Sequence, residues 1–269
     1  MREFNVTGLC MPDMNYMVDI SGKIASIREL INNRRYFTIN RARQYGKTTT
    51  LVALERALKG EYIVAAISFE GLGDSFFASE AAFCEKFIGI VKHALRFSSA
   101  DSGFIERWGK SEARTFDQLN KHITDICKDN SVILTIDEAD NTCNNRVFLH
   151  FLSMLRSKYL ARQAGEDSTF HSVILAGIYD IKNIKLKIIQ EGAYTPGGSE
   201  NKLYNSPWNI AVDFVVDMSF NPAEIASMLE AYEEDYHTGM DISAIPGKYI
   251  FTQAVTRIWF QGYANASIQ

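Results

Sequence analysis

The sequence predicts an α/β protein, a three-layer fold in which a mostly parallel five-stranded sheet is flanked by helices. Three observations predict it. Short apolar runs of strand length alternate with segments whose apolar residues recur at helical spacing. The runs are apolar throughout rather than alternating, as in parallel strands buried on both faces. Two of them also end in polar residues of distinct chemistry, Gly46-Lys47-Thr48 after the first and Asp137-Glu138 after the third.

The elements follow in order. Ile24, Ile27, Leu30 and Ile31 mark a helix over residues 20–31 that leads into the first strand at Tyr36. After the polar turn, Leu51, Leu54 and Leu58 share one helix face, and Gly60 ends that helix. Tyr62–Phe69, YIVAAISF, is the second strand, and Ser79–Phe97 is a helix carrying Phe83, Phe87, Ile90, Val91 and Ala94. Ser98–Arg114 reads as an irregular or weakly helical insertion, and Leu119–Cys127 as a short helix. Ser131–Asp140, SVILTIDEAD, is the third strand with its acidic end. Phe148, Phe151, Leu152, Leu155 and Tyr159 form a helical stripe with Arg146, Arg156, Lys158 and Arg162 nearby, most of them expected on the solvated surface. Ser172–Ile178 is a fourth strand, Gly192–Asn205 a polar loop and Ile210–Met218 a fifth strand. Asn221-Pro222-Ala223-Glu224 then opens a helix, with a cap residue followed by proline in the first turn.

Composition narrows the function classes. With 269 residues, 46% hydrophobic, the chain can bury the core of one large domain or of a domain with a small lid. A net charge of -4 and a pI near 5.8 provide no overall field for nucleic acid or anionic lipid. No stretch of about 18 apolar residues suits a membrane, and the opening MREFNVTGLCMPDMNY has neither secretion-signal nor transit-peptide character, so the cytoplasm is the expected location. Cys10, Cys84, Cys127 and Cys143 are far apart, which argues against a zinc site or a disulfide framework and for reduced, partly buried thiols. The five histidines are scattered and read as packing or surface residues.

The chemistry lies in two stretches. In Tyr36–Leu51, YFTINRARQYGKTTTL, a strand passes through a loop into a helix start. Gly46 lets the backbone approach a phosphate, Lys47 reaches the outer phosphate oxygens, and the Thr48 hydroxyl suits Mg²⁺. Arg43, Gln44 and Tyr45, together with the amides of Gly46 to Thr49 at the positive helix end, complete a candidate phosphate-binding set, in which Arg41 and Arg43 either contact phosphate, form a surface salt bridge or act in a partner subunit. The full signature G-x-x-x-x-G-K-[ST] is not met, because Arg41 stands at the first glycine. In the second stretch, a Walker B pattern, a buried strand would deliver Asp137 to the Mg²⁺ shell and set Glu138 to orient and deprotonate water. The fourth strand breaks into Tyr179-Asp180, so that Tyr179, Asp180 or Asn183 either sense the terminal phosphate or simply turn the chain.

On these motifs, with ISFEGLGD, NNRVFLHFL, ILAGIYDIKN, SPWNIAVDFVVDMSF and the HTGMDI segment, the chain from about Phe4 to Ile245 resembles the bacterial AAA-ATPase-like family of P-loop NTPases. The resemblance makes Arg41 a family trait. It implies a P-loop NTPase sheet with other strands around the P-loop strand, ATP and Mg²⁺ as ligands, and hydrolysis of ATP to ADP and phosphate that drives a conformational change. Residues 1–220 would form the ATPase core and 221–269 a short helical C-terminal segment. The tail Phe251–Gln269 departs from the helical stretch that family members carry there, and codons able to encode it also spell that stretch in another frame. A frameshift near residues 247–251, leaving a truncated lid, is therefore expected, and the coding DNA decides it. The competing class is a nucleotide-gated signalling or interaction module with little turnover, partnered by itself or another protein. A DNA-handling ATPase ranks lower because the sequence has no basic stripe.

Overall fold

A computed structural model describes residues 2–5, 9–40, 46–139, 145–177, 208 and 220–242. Among them are four strands, β1 (Tyr36–Asn40), β2 (Ile63–Ser68), β3 (Val132–Asp137) and β4 (Ser172–Gly177), forming one sheet in the order β1-β4-β3-β2. Every pair is parallel. The described helices are α1 (Ser21–Asn32), α2 (Lys47–Leu58), α3 (Glu80–Leu95), α4 (Ser102–Gly109), α5 (Phe116–Cys127), α6 (Arg146–Gln163) and α7 (Pro222–Tyr236). The fold is α/β, a parallel sheet flanked by helices. The expected fifth strand at Ile210–Met218 and the polar loop at Gly192–Asn205 lie outside the described residues.

The residues fall into two compact units, one of Leu30–Asn40 with Glu55–Phe214 and one of 1–29, 41–54 and 215–269. In the larger, all six residues of β3 and of β4 are buried, as uninterrupted apolar runs require of central parallel strands. Val132, Leu134, Ile136, Val173 and Leu175 join a core with Phe83, Phe87, Trp108 and Phe151. The period of two sends Ile133 and Ile174 to the opposite face, where they are equally buried. Both faces of the sheet are therefore covered.

Helices α3, α5 and α6 begin at oxygen caps. The Ser79 hydroxyl accepts from Ala82 N–H at 3.1 Å to open α3, and Thr115 and Asn145 cap α5 and α6. Of the two readings of residues 98–114, irregular or weakly helical, the structure takes the helical one over part of the segment. Asp101 caps the regular helix α4, accepting from Phe104 N–H at 2.8 Å, and Phe104 and Trp108, one turn apart, are fully buried. Eight residues containing two glycines carry little helical propensity, so burial of these two rings holds the helix.

The cations of α6 depart from expectation. Arg146 is exposed, but Lys158 is buried, its amine donating to Asp167 Oδ2 (2.7 Å), Thr124 Oγ1 (2.7 Å) and Asn120 Oδ1 (2.9 Å). Arg162 is half-buried and donates to the carbonyls of Phe170, His171 and Arg34 while its guanidinium covers the rings of Tyr36 and Tyr159. Lys158 lies seven residues after Phe151 and three after Leu155, on the apolar stripe itself, which dictates its burial.

In the smaller unit, α7 opens as expected. Asn221 Oδ1 accepts from Glu224 N–H at 2.9 Å, and Glu224 Oε2 accepts from Asn221 N–H at 2.8 Å, a closed capping box with Pro222 at the first position. His237 ends the helix in the left-handed conformation at φ 49°. No helix among the described residues is long and apolar enough to cross a membrane. Cys84 and Cys127 are buried free thiols whose pKa burial pushes up to about 12, and Cys10 is half-buried.

Candidate functional site

The chain enters the GKT stretch from the carboxyl end of β1. Arg41, Arg43, Gln44 and Tyr45 lie outside the described residues, as do Tyr179, Asp180 and Asn183. Gly46 takes φ 71°, a left-handed turn in which any larger residue is strained, and α2 starts directly after it. Thr50 N–H donates to Gly46 C=O at 2.8 Å, closing the first helical turn. Lys47, Thr48 and Thr49 therefore stand in that turn, whose forward-pointing amides have no acceptor within the helix. The turn contains no acidic side chain to offset the positive helix end. Lys47 is 6% exposed, whereas Thr48 is exposed. Leu51, Leu54 and Leu58 are buried, so the helix face is anchored as its spacing predicts.

The acidic pair is held at the end of β3. Asp137 is the last strand residue and 7% exposed, and its carbonyl accepts from Phe69 N–H at 2.9 Å, the last rung toward β2. Its Oδ1 accepts from Glu138 N–H at 2.9 Å, which turns the backbone sharply at the strand end. Glu138 is half-buried with φ 53°, a conformation that costs a non-glycine residue about 1–2 kcal/mol and clusters at functional sites. Asp137 and Glu138 thus follow one another at the carboxyl end of β3. Thr48 and Asp137 are hard oxygen donors of the type that suits Mg²⁺, and Lys47 with the helix start is the donor set that suits phosphate.

The sheet brings the carboxyl ends to one edge. Asn40 is in register with Gly177, and Asp137 with Ser68. In open α/β sheets that edge is where ligands bind. Ser68, which sequence reasoning passed over, stands exposed beside Asp137 with its Oγ accepting from Glu70 N–H at 3.0 Å. The signal was present: the second apolar run breaks to Ser-Phe-Glu, as the third breaks to Asp-Glu.

No family model matches the chain, and no curated protein matches it. Among solved structures it is similar to the Walker-type ATPase of Pyrococcus abyssi, at 12% identity and TM-score 0.49 over 87% of this chain and 62% of that one. It is also similar to the Orc1 protein of Aeropyrum pernix, solved in complex with DNA, at 11% identity and TM-score 0.45 over 81% of this chain and 50% of that one. Cdc6p from Pyrobaculum aerophilum gives 15% identity and TM-score 0.42 over 80% and 49%. The chain thus spans roughly half to three-fifths of the length of these structures.

Proposed function

We propose that this chain is an ATP-binding, Mg²⁺-dependent P-loop ATPase of the AAA-like type. The observation that carries the reading is the strand order. β1, which leads into Gly46-Lys47-Thr48, and β3, which ends in Asp137-Glu138, run parallel with β4 between them, their carboxyl ends on one edge. Six residues, 41–46, join that edge to the start of α2. The acidic pair thus stands at the carboxyl ends of the sheet, where ligands bind in open α/β folds, and the GKT stretch follows directly from the strand that ends there.

The roles follow from chemistry. Lys47, with the amides of Gly46 to Thr49 and the loop residues Arg43, Gln44 and Tyr45, holds the phosphates. Thr48 and Asp137 are the hard oxygen donors that would hold Mg²⁺, which would supply charge neutralisation to the phosphates. Glu138 orients the attacking water and takes its proton.

Two variants test this. Glu138→Gln keeps shape and hydrogen-bonding reach but removes basicity, so ATP should still bind while phosphate release falls roughly 10²- to 10⁴-fold. Lys47→Ala removes charge in ground and transition states alike, so affinity and rate should both fall. Calorimetry and phosphate release with and without Mg²⁺ are the measurements. Tight ATP binding with no release above the Glu138→Gln level would replace the enzyme with a nucleotide-gated module, and no nucleotide binding would sink both.

A further inference from the structure

Residues 2–5 and 9–16 form a strap closed on itself. Glu3 N–H donates to Met14 C=O at 2.8 Å, and Tyr16 N–H to Glu3 C=O at 3.1 Å. Asn15 Oδ1 accepts from Met11 N–H at 2.8 Å.

The strap is fastened to α7 by charge and by rings. Tyr16, only 4% exposed, donates its hydroxyl to Asp235 Oδ2 at 2.6 Å, and Arg2 donates to the same oxygen at 3.0 and 3.2 Å while lying over the Tyr16 ring. Arg2 also reaches the Ala231 carbonyl at 3.3 Å. Phe4, Tyr16 and Tyr232 meet pairwise with centroids 5.0–5.4 Å apart, within the range of attractive ring contacts. Next along the chain, Lys23, 6% exposed, donates to both oxygens of Glu224 at 2.9 Å, the residue that closes the capping box of α7. The same unit has one more fastening: Cys10 N–H donates to Thr49 Oγ1 in the first turn of α2, at 3.4 Å.

We propose that the strap of residues 2–5 and 9–16 links the first turn of α2 to α7, so that filling the phosphate site is felt as a tightening of α7. The inference rests on the nucleotide reading above. It needs no signal through the sheet, because the fastenings to α2 and α7 lie on one short piece of chain. Asp235 is the junction, holding Tyr16 and Arg2 through one carboxylate oxygen.

Amide hydrogen exchange over residues 228–236, with and without MgATP, tests the link on wild type, Asp235→Asn and Tyr16→Phe, with ATP binding followed in parallel by calorimetry. Tyr16→Phe keeps the ring contacts and removes only the hydroxyl, and a thermal melt of each variant checks that it is folded. In wild type, MgATP should slow exchange in this window at least fivefold. In both variants binding should stay within a few-fold of wild type while the slowing drops below twofold. Wild type that binds ATP without any change in α7, or variants that respond as fully as wild type, would overturn the link and leave the ATPase reading standing. Wild type that binds no nucleotide would overturn both.

Discussion

The two edges of the sheet use charge in opposite ways. Where the strands begin, cations are consumed by several segments of the chain, some of them distant in sequence. Lys158 ties α6 to α5 and to Asp167, and Arg162 ties the end of α6 to carbonyls preceding β1 and β4. Ser172 adds a hydroxyl bond of 2.6 Å to the Arg35 carbonyl. Where the strands end, polar groups are held by their immediate neighbours: Asp137 by the amide of Glu138, Ser68 by that of Glu70. The first pattern cements the fold, because the bonds from Lys158 to Asn120 and Thr124, from Arg162 to Arg34 and from Ser172 to Arg35 close long loops. The second leaves side chains in place by bending backbone, and Glu138 at φ 53° carries the strain.

Breaking the cementing edge should have the largest effect on stability. Lys158→Met strands Asp167 without its cation and should lower unfolding free energy by about 3–5 kcal/mol, read as a drop in the urea midpoint. Arg146→Ala, exposed on the same helix, should stay within about 0.5 kcal/mol. Arg162→Lys keeps the charge but loses the planar fork that reaches three carbonyls, and should cost about 1.5–3 kcal/mol. If Lys158→Met were neutral, the contrast between the edges would fail.

At the other edge the expected sign reverses. Glu138→Gly relieves the left-handed backbone and should raise stability by about 0.5–1 kcal/mol in thermal unfolding, while phosphate release falls at least as far as in Glu138→Gln. Glu138→Ala, which keeps the strain, should not stabilise. Stabilisation by both would assign the effect to the carboxylate rather than to the backbone.

The smallest effect is a pH slope. His171 donates from Nε2 to the Ile31 carbonyl at 3.0 Å. Burial, and then the nearby Arg34 and Arg162 charges, hold its pKa below the ordinary histidine value. The unfolded chain therefore binds the proton more readily, so stability is full above about pH 6.5 and declines as pH falls through that range. His171→Gln should flatten the decline. Asp167 acts at lower pH. Burial alone would raise its pKa, but the bonds from Lys158 and Thr124 outweigh burial and hold it below the usual carboxylate value. Its contribution is present above about pH 4 and lost beneath it.

The strands were legible because burial on both faces leaves an uninterrupted apolar run, as in VILTID and SVILAG. The Gly46 turn, the start of α2 and the Asp137-Glu138 junction were legible because each breaks such a run abruptly. Helix α4 was legible only as an irregular or weakly helical insertion, since two buried rings one turn apart make too short a repeat, and tertiary burial selects the helix. Lys158 was misread because its charge was weighed above its position on the stripe. The strap was opaque for a different reason: Tyr16 and Asp235 are more than two hundred residues apart, and no local pattern pairs them.

The strand order also governs when the sheet can form. β2 and β3 are neighbours separated by residues 69–131, that is 63 residues, whereas β1 and β4 are separated by residues 41–171, that is 131. At a synthesis rate of about 5–20 residues per second, β1 leaves the ribosome roughly 7–26 seconds before β4 exists to pair with it. β2 and β3 can zip meanwhile, but β1 has no neighbour among them. Until β4 slides between β1 and β3, the nascent chain presents Tyr36, Phe37 and Ile39 on an unpaired strand, the surface on which a chaperone or a second nascent copy would first take hold.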